Sequence, residues 1–181
     1  SVLTMGAHHS FQPGKLWPDS NGIHINAHGG GVLFHKGLYF WFGEHKIEGE
    51  AGNAAHVGVH VYSSSDLYNW KDEGVALKVV AATPSSQNGR RGDAATESPI
   101  VRGCILERPK VIYNARTKKF VMWFHLEPKA AGYSGALSGV AVSDNVTGPF
   151  QFVDAFRPNA GVWPKNVPAE AKRPLSSEET A

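Results

Sequence analysis

The chain has 181 residues, enough to bury a core without staples, with 18 Lys and Arg against 16 Asp and Glu. A net charge of +2 with no basic run excludes a nucleic-acid-binding surface of the usual kind, and no apolar run is long enough to span a bilayer. With 20 Gly, 11 Pro and 10% aromatic residues, the composition favours many short strands joined by tight turns over long helices.

From Ser1 to Asn21 the chain is irregular, punctuated by Pro13-Gly14, Pro18 and Asn21-Gly22. The first predicted strand is Gly31 to Phe34. His35-Lys36-Gly37 turns the chain into a second strand, Leu38 to Phe42, giving a hairpin. A charged, Gly-rich loop follows from Glu44 to Ala55. Val57, Val59 and Val61 then alternate with other residues, which predicts a strand over His56 to Ser63. A fourth strand is read over Tyr68 to Leu77. The long stretch from Val80 to Gly103 is rich in Ser, Gly, Asn and Arg and reads as a functional or disordered loop. The pattern then restarts, with strands over Pro109 to Tyr113, Lys119 to His125, Gly139 to Ser143 and Phe150 to Phe156. The tail from Pro158 is rich in Pro and charge, with a helical turn at Ala169 to Lys172.

The restart is an internal repeat. Trp41-Phe42 is echoed by Trp123-Phe124, and Gly58-Val59-x-Val61 by Gly139-Val140-x-Val142, both at an offset of roughly 80 residues. Each unit of four antiparallel strands has the anatomy of a propeller blade. Two β-meanders of unrelated origin would look much the same. The shared offset favours the repeat. The expected fold is therefore all-β, of the β-propeller type. A propeller needs roughly four to eight blades, and this chain holds about two. Residues 1–181 are expected to form part of a propeller, with the remaining blades supplied beyond Ala181 or by a partner segment.

Four stretches could carry chemistry. Asn26-Ala27-His28-Gly29-Gly30-Gly31 leaves backbone uncovered, so that a ligand or another strand can come close, and puts His28 at the start of an innermost strand; the glycines could equally serve a tight turn. Trp41-Phe42-Gly43-Glu44 offers an aromatic face for a sugar ring and a carboxylate for its hydroxyls, against the alternative of a core Trp beside a solvated turn. Glu107 precedes a strand that reads as buried, with Arg108 and Lys110 at hand. It is a candidate sugar ligand or acid/base group, or one half of a structural ion pair. Trp123-Phe124-His125-Leu126-Glu127 repeats the aromatic-then-Glu order, as though two blades deliver matching groups to one site.

The nine His invite a metal reading, but His8-His9 and His24/His28 lack the spacing of a known metal motif. No metal or cofactor is expected, a structural calcium ion apart. No G-x-S-x-G is present for a serine nucleophile, and no phosphate-loop signature follows the glycines. The single Cys104 reads as a buried, inert thiol. No signal peptide opens the chain, which reads as mature or cytosolic.

The stretches "INAHGGGVLFHKGLYFWFGEHK", "VGVHVYSSSDLYNWKDEGVAL", "ERPKVIYNARTKKFVMWFHLE" and "SGVAVSDNVTGPFQFVDAFRPNAG" together resemble the N-terminal half of glycoside hydrolase family 43. The similarity is to its galactan exo-β-1,3-galactosidase-like and arabinofuranosidase-like branch, from about Ile23 to Gly161. The resemblance implies a five-bladed propeller with the site on its axis, inverting hydrolysis by carboxylates, and a secreted or periplasmic protein. It implies that Glu107 is the active-site Glu that contacts the sugar, and that His28 and Glu44 lie near the pocket. The family's general-base Asp has no counterpart at Ala27-His28-Gly29, and no segment before Ala181 matches its general acid.

The expected activity is thus inverting exo-hydrolysis of galactan or plant-type side chains, with Glu107 as the catalytic candidate and His28, Trp41, Glu44, Arg108, His125 and Glu127 as sugar-binding candidates. The alternatives are an α-L-arabinofuranosidase or β-xylosidase of the same family, a non-catalytic sugar-binding fragment, or a structural propeller piece. The expected partners are an oligosaccharide or polysaccharide and the rest of the propeller, with no nucleic acid and no membrane span.

Overall fold

A computed structural model describes residues 7–50, 52–81 and 98–180. Most of the predicted loop between Val80 and Gly103 lies outside the described residues. Eight strands form two four-stranded antiparallel sheets. The first sheet holds β1 (His28–His35), β2 (Leu38–Lys46), β3 (His56–Ser64) and β4 (Lys71–Lys78), paired in chain order. The second holds β5 (Ile105–Asn114), β6 (Lys119–Glu127), β7 (Leu137–Ser143) and β8 (Gln151–Phe156), in the same order. The two sheets are repeats of one unit. Trp41 and Trp123 stand on the second strand of each, Gly58 and Gly139 on the third.

Local chemistry accounts for the hairpins. Lys36 and Gly37 both have positive φ, 49° and 85°, and connect His35 directly to Leu38. That is the two-residue loop whose twist suits antiparallel strands. In the second sheet, Asn114 Oδ1 accepts from the backbone N–H of Arg116 and Thr117, closing the β5–β6 turn.

Each strand sends alternate residues inward. Phe40, Phe42, Val59 and Val61 from the first sheet meet Val111, Phe120, Met122, Phe124 and Leu126 from the second in one shared core. A fully buried Leu or Phe in such a core is worth about 1.5–3 kcal/mol. The buried Cys104 thiol is pushed up to about 11 by burial, which makes it unreactive.

The outer faces of the two sheets differ. A second cluster of Ile25, Ala27, Tyr62 and Trp70 covers the first sheet, joined by Trp17, Tyr39 and Trp41. The segment before β1 crosses there, with Ala27 against Gly43 so closely that a Cβ on Gly43 would sit 2.2 Å from the Ala27 carbonyl carbon. On the second sheet, Ile112, Trp123 and Phe156 remain exposed.

Several predicted elements change: β2 runs on to Lys46, so Glu44 lies in a strand and not in the loop predicted from Glu44 to Ala55, and β6 and β7 are each two residues longer than predicted. The fourth strand starts at Lys71 and not Tyr68, because the Asp66 carboxylate accepts from the N–H groups of Tyr68 and Asn69 and holds them in a turn. The fifth begins at Ile105, so Glu107 lies inside a strand and does not precede one. β1 likewise starts at His28, ahead of the predicted Gly31.

Candidate active site

The site is built where β1 and β5 run side by side at the meeting of the two sheets. β5 carries a bulge between Glu107 and Lys110, and Arg108 takes a positive φ of 55° there. A bulge re-aims side chains and frees backbone groups from the ladder. Here the freed N–H of Arg108 donates to Glu44 Oε1 of the first sheet at 3.3 Å. Beyond the bulge, Lys110 Nζ donates to the Gly30 carbonyl at 2.8 Å, with the Gly29 carbonyl at 3.4 Å. The glycines of β1 therefore permit close approach. Gly29 has a φ of +57°, and a Cβ on it would lie 2.7 Å from Glu44 Oε1.

Three carboxylates converge on this region, but their surroundings differ. Glu44 is buried and is held by Arg108 N–H and by Lys46, whose Nζ is 3.6 Å from Oε2. Glu127, at the end of β6, is wholly buried. Its Oε2 accepts from Gly135 N–H at 2.6 Å, and its Oε1 faces Ala136 N–H at 2.8 Å and His125 Nε2 at 2.9 Å. Burial acts to raise the Glu127 carboxyl, but the bonds from His125, Ala136 and Gly135 outweigh it and hold the group below the ordinary carboxylate value. Glu107 alone of the three keeps appreciable access, with 28% of its side chain exposed against 9% and 1% for Glu44 and Glu127.

Two groups hold Glu107. Tyr133 Oη donates to Oε1 at 2.8 Å, and His125 Nδ1 lies 3.3 Å from Oε2. The Tyr133 ring stacks on His125 at 5.7 Å. The bond to Glu107 is the main reason the Tyr133 phenol is raised above its usual value, with the charges of Glu107, Glu44 and Glu127 adding. A carboxylate fixed in this way can accept hydrogen bonds from a polyol.

Of the predicted residues, Glu44, Glu107, Arg108, His125 and Glu127 are brought together. His28 is exposed on β1 and opposes Glu44 in register. Trp41 stands apart: its ring packs between Trp17 at 5.6 Å and Trp70 at 5.3 Å in the second cluster. The expected equivalence of Glu44 and Glu127 is corrected. Glu44 shares the face of Phe42 that meets the other sheet, whereas Glu127 shares the face of Trp123 and His125. The counterpart of Glu44 along β6 is Leu126.

Two residues escaped the sequence reading. Tyr133 lies in the Gly-containing loop between β6 and β7, and its only signal was an aromatic just past Glu127. His56 is buried, and neither ring nitrogen makes a well-formed hydrogen bond, although the His45 backbone favours its charged form. A cavity of about 270 Å³ lined by His8, Phe11, Leu16 and Trp17 holds no carboxylate and lies apart from the Glu107 cluster. Among the described residues no three His, Cys, Asp or Glu side chains are arranged to hold a metal ion.

Compared with known proteins, the chain matches no family model and no curated protein. It does match solved structures. A glycoside hydrolase family 43 β-1,3-galactosidase, solved with galactodeoxynojirimycin, is 49% identical over 92% of this chain and 44% of its own, with a TM-score of 0.72. The exo-β-1,3-galactanase from Clostridium thermocellum is 35% identical over 81% of this chain and 27% of its own, with a TM-score of 0.65. That from Phanerochaete chrysosporium, solved with galactose, is 34% identical over 80% of this chain and 29% of its own, with a TM-score of 0.64. The chain thus spans less than half the length of each.

Proposed function

We propose that the chain, 49% identical to a glycoside hydrolase family 43 β-1,3-galactosidase over 44% of that protein's length, forms two blades of a five-bladed, exo-acting β-1,3-galactosidase. The supporting observation is Glu107, the accessible member of a carboxylate cluster, pinned by Tyr133 and His125 beside the junction of the sheets. In this reading Glu107 accepts hydrogen bonds from hydroxyls of a terminal galactose. Arg108, next to it along β5, and His28, opposite Glu44 in register, are both exposed.

Inverting hydrolysis needs one carboxyl group to protonate the leaving oxygen and another group to activate water across the sugar, with carboxyls about 6.5–9.5 Å apart. Glu44 and Glu127 are already engaged by protein donors, so neither is free to shuttle a proton. The proton donor is assigned to a later blade. In the same reading the substrate is a galactan or a plant-type side chain ending in galactose, met outside the cytoplasm. Among the described residues no helix is long and apolar enough to cross a membrane.

The test is calorimetric titration of the chain, alone and joined to the rest of its protein, with galactodeoxynojirimycin and with arabinose- and xylose-configured analogues. Preference for the galactose form supports the reading. A preference for either other sugar makes the chain an arabinofuranosidase or xylosidase of the same family. Binding without release of galactose from β-1,3-galactan by the joined form makes it a non-catalytic sugar module. Glu107→Gln is expected to weaken galactoside binding roughly 10- to 100-fold, the range for one hydrogen bond to a charged group.

A further inference from the structure

Glu127 is buried, and it is the most heavily bonded carboxylate of the cluster. Two of its three partners, Gly135 N–H and Ala136 N–H, are obligate donors, so its oxygens act as acceptors. The third partner, His125 Nε2, must then carry a proton to bond Oε1 at 2.9 Å. The fit around Oε2 is tight: a Cβ on Gly135 would lie 2.5 Å from it.

With Nε2 committed to Glu127, the other ring nitrogen, Nδ1, faces Glu107 Oε2 at 3.3 Å. One proton on that axis makes a hydrogen bond and none makes a repulsive contact. The same carboxylate clamps the loop from Pro128 to Ala136, and Tyr133 in that loop donates to Glu107 Oε1 at 2.8 Å. Both oxygens of Glu107 are therefore governed from Glu127, one through the imidazole and one through the loop. This is the logic by which a buried carboxylate sets the tautomer of a catalytic histidine.

We propose that Glu127 is a positioning residue: it fixes a protonated Nε2 on His125 and the seat of Tyr133, so that Glu107 meets the sugar with one orientation. The proposal concerns a residue that does not touch the sugar, and it rests on the galactoside reading only for its consequence in binding.

Two measurements on the full 181-residue chain test it. Long-range 15N–1H correlation spectra identify which ring nitrogen of His125 bears hydrogen. The expected result is a protonated Nε2 near neutral pH, and a bare Nε2 overturns the proposal with no variant needed. In Glu127→Gln the amide cannot accept from all three donors, so the Nε2–H form should give way to a mixture and affinity for galactodeoxynojirimycin should fall about tenfold, the equivalent of one hydrogen bond. Glu127→Asp, which keeps the carboxylate, should restore most of the Nε2–H signal. Tyr133→Phe should weaken the sugar without altering the tautomer. A Glu127→Gln protein with unchanged tautomer and unchanged affinity also overturns the proposal. If the parent chain binds no galactoside, the functional reading fails, and the ring spectra still decide the role of Glu127. Should Glu127→Gln not fold, the parent spectrum carries the decision.

Discussion

His56 shows how burial without partners shapes a single residue. Only 3% of it is exposed. Burial is the main cause that drives its ring down to about 4; Lys46 and His45 push the same way, while the His45 backbone and Glu107 oppose. The folded protein therefore keeps His56 neutral. Unfolded, the same ring takes up a proton near pH 6.5. The unfolded state binds more protons between those values, so stability is full above pH 6.5 and falls as the pH drops toward 4. The loss from this one group is up to about 3 kcal/mol. His56→Leu keeps the apolar contacts and has nothing to titrate. Urea unfolding at pH 7 and pH 4.5 should show the parent chain losing more stability than the variant; equal losses would sink the assignment. Nothing in the sequence separated His56 from the other eight histidines, because its burial arises only in the folded chain. Glu107 was legible, since a charge in an apolar run needs a reason. Tyr133 was not, because its place depends on a loop that Glu127 folds back.

At the scale of elements, the strands were the most legible part of the chain. Period-two alternation and turn residues located all eight, and the Trp-Phe and Gly-Val echoes showed which strands correspond. Faces and bulges were less legible. Pro109 looked like a strand start, and β5 runs through it because the bulge at Arg108 leaves no ladder N–H to supply there. The parity of Glu44 and Glu127 was hidden because a shift of one residue moves a side chain to the other face. Docking of the segment before β1 leads to a prediction at this scale. Gly43 in β2 admits the Ala27 backbone, and an added methyl would strike backbone atoms that cannot move aside. Gly43→Ala should cost about 1–3 kcal/mol, the usual range for overpacking. The segment, Trp17 included, should lift away from the Trp41 and Trp70 rings, so the variant should show a lower urea midpoint and a red-shifted tryptophan emission. A variant as stable as the parent, with unchanged emission, would mean the segment does not dock there.

For the whole molecule, the asymmetry between the two sheets decides how the chain behaves alone. The first sheet has apolar residues packed on both faces. The second has one covered face; on the other, the register aligns Ile112, Val121, Trp123, Val140, Val142 and Phe156. Ile112, Trp123 and Phe156 are 55%, 38% and 41% exposed, and the Trp123 and Phe156 rings meet at 6.2 Å. A contiguous apolar face of this kind is uncommon on a monomer and marks a surface meant to be covered. In the proposed propeller the next blade covers it, whereas among the described residues Ile112, Trp123 and Phe156 stay exposed. The 181-residue chain should therefore self-associate with rising concentration in sedimentation velocity. Trp123→Lys should shift it toward monomer while leaving the inter-sheet core intact, since Trp123 points away from Phe124 and Met122. Joined to the rest of its protein, the chain should stay monomeric and its Trp123 emission should move to the blue as the face is buried. A chain that is monomeric at every concentration, with Trp123 equally exposed in both forms, would remove the case for a neighbouring blade on this face and would require the site around Glu107 to be completed from the β1 side.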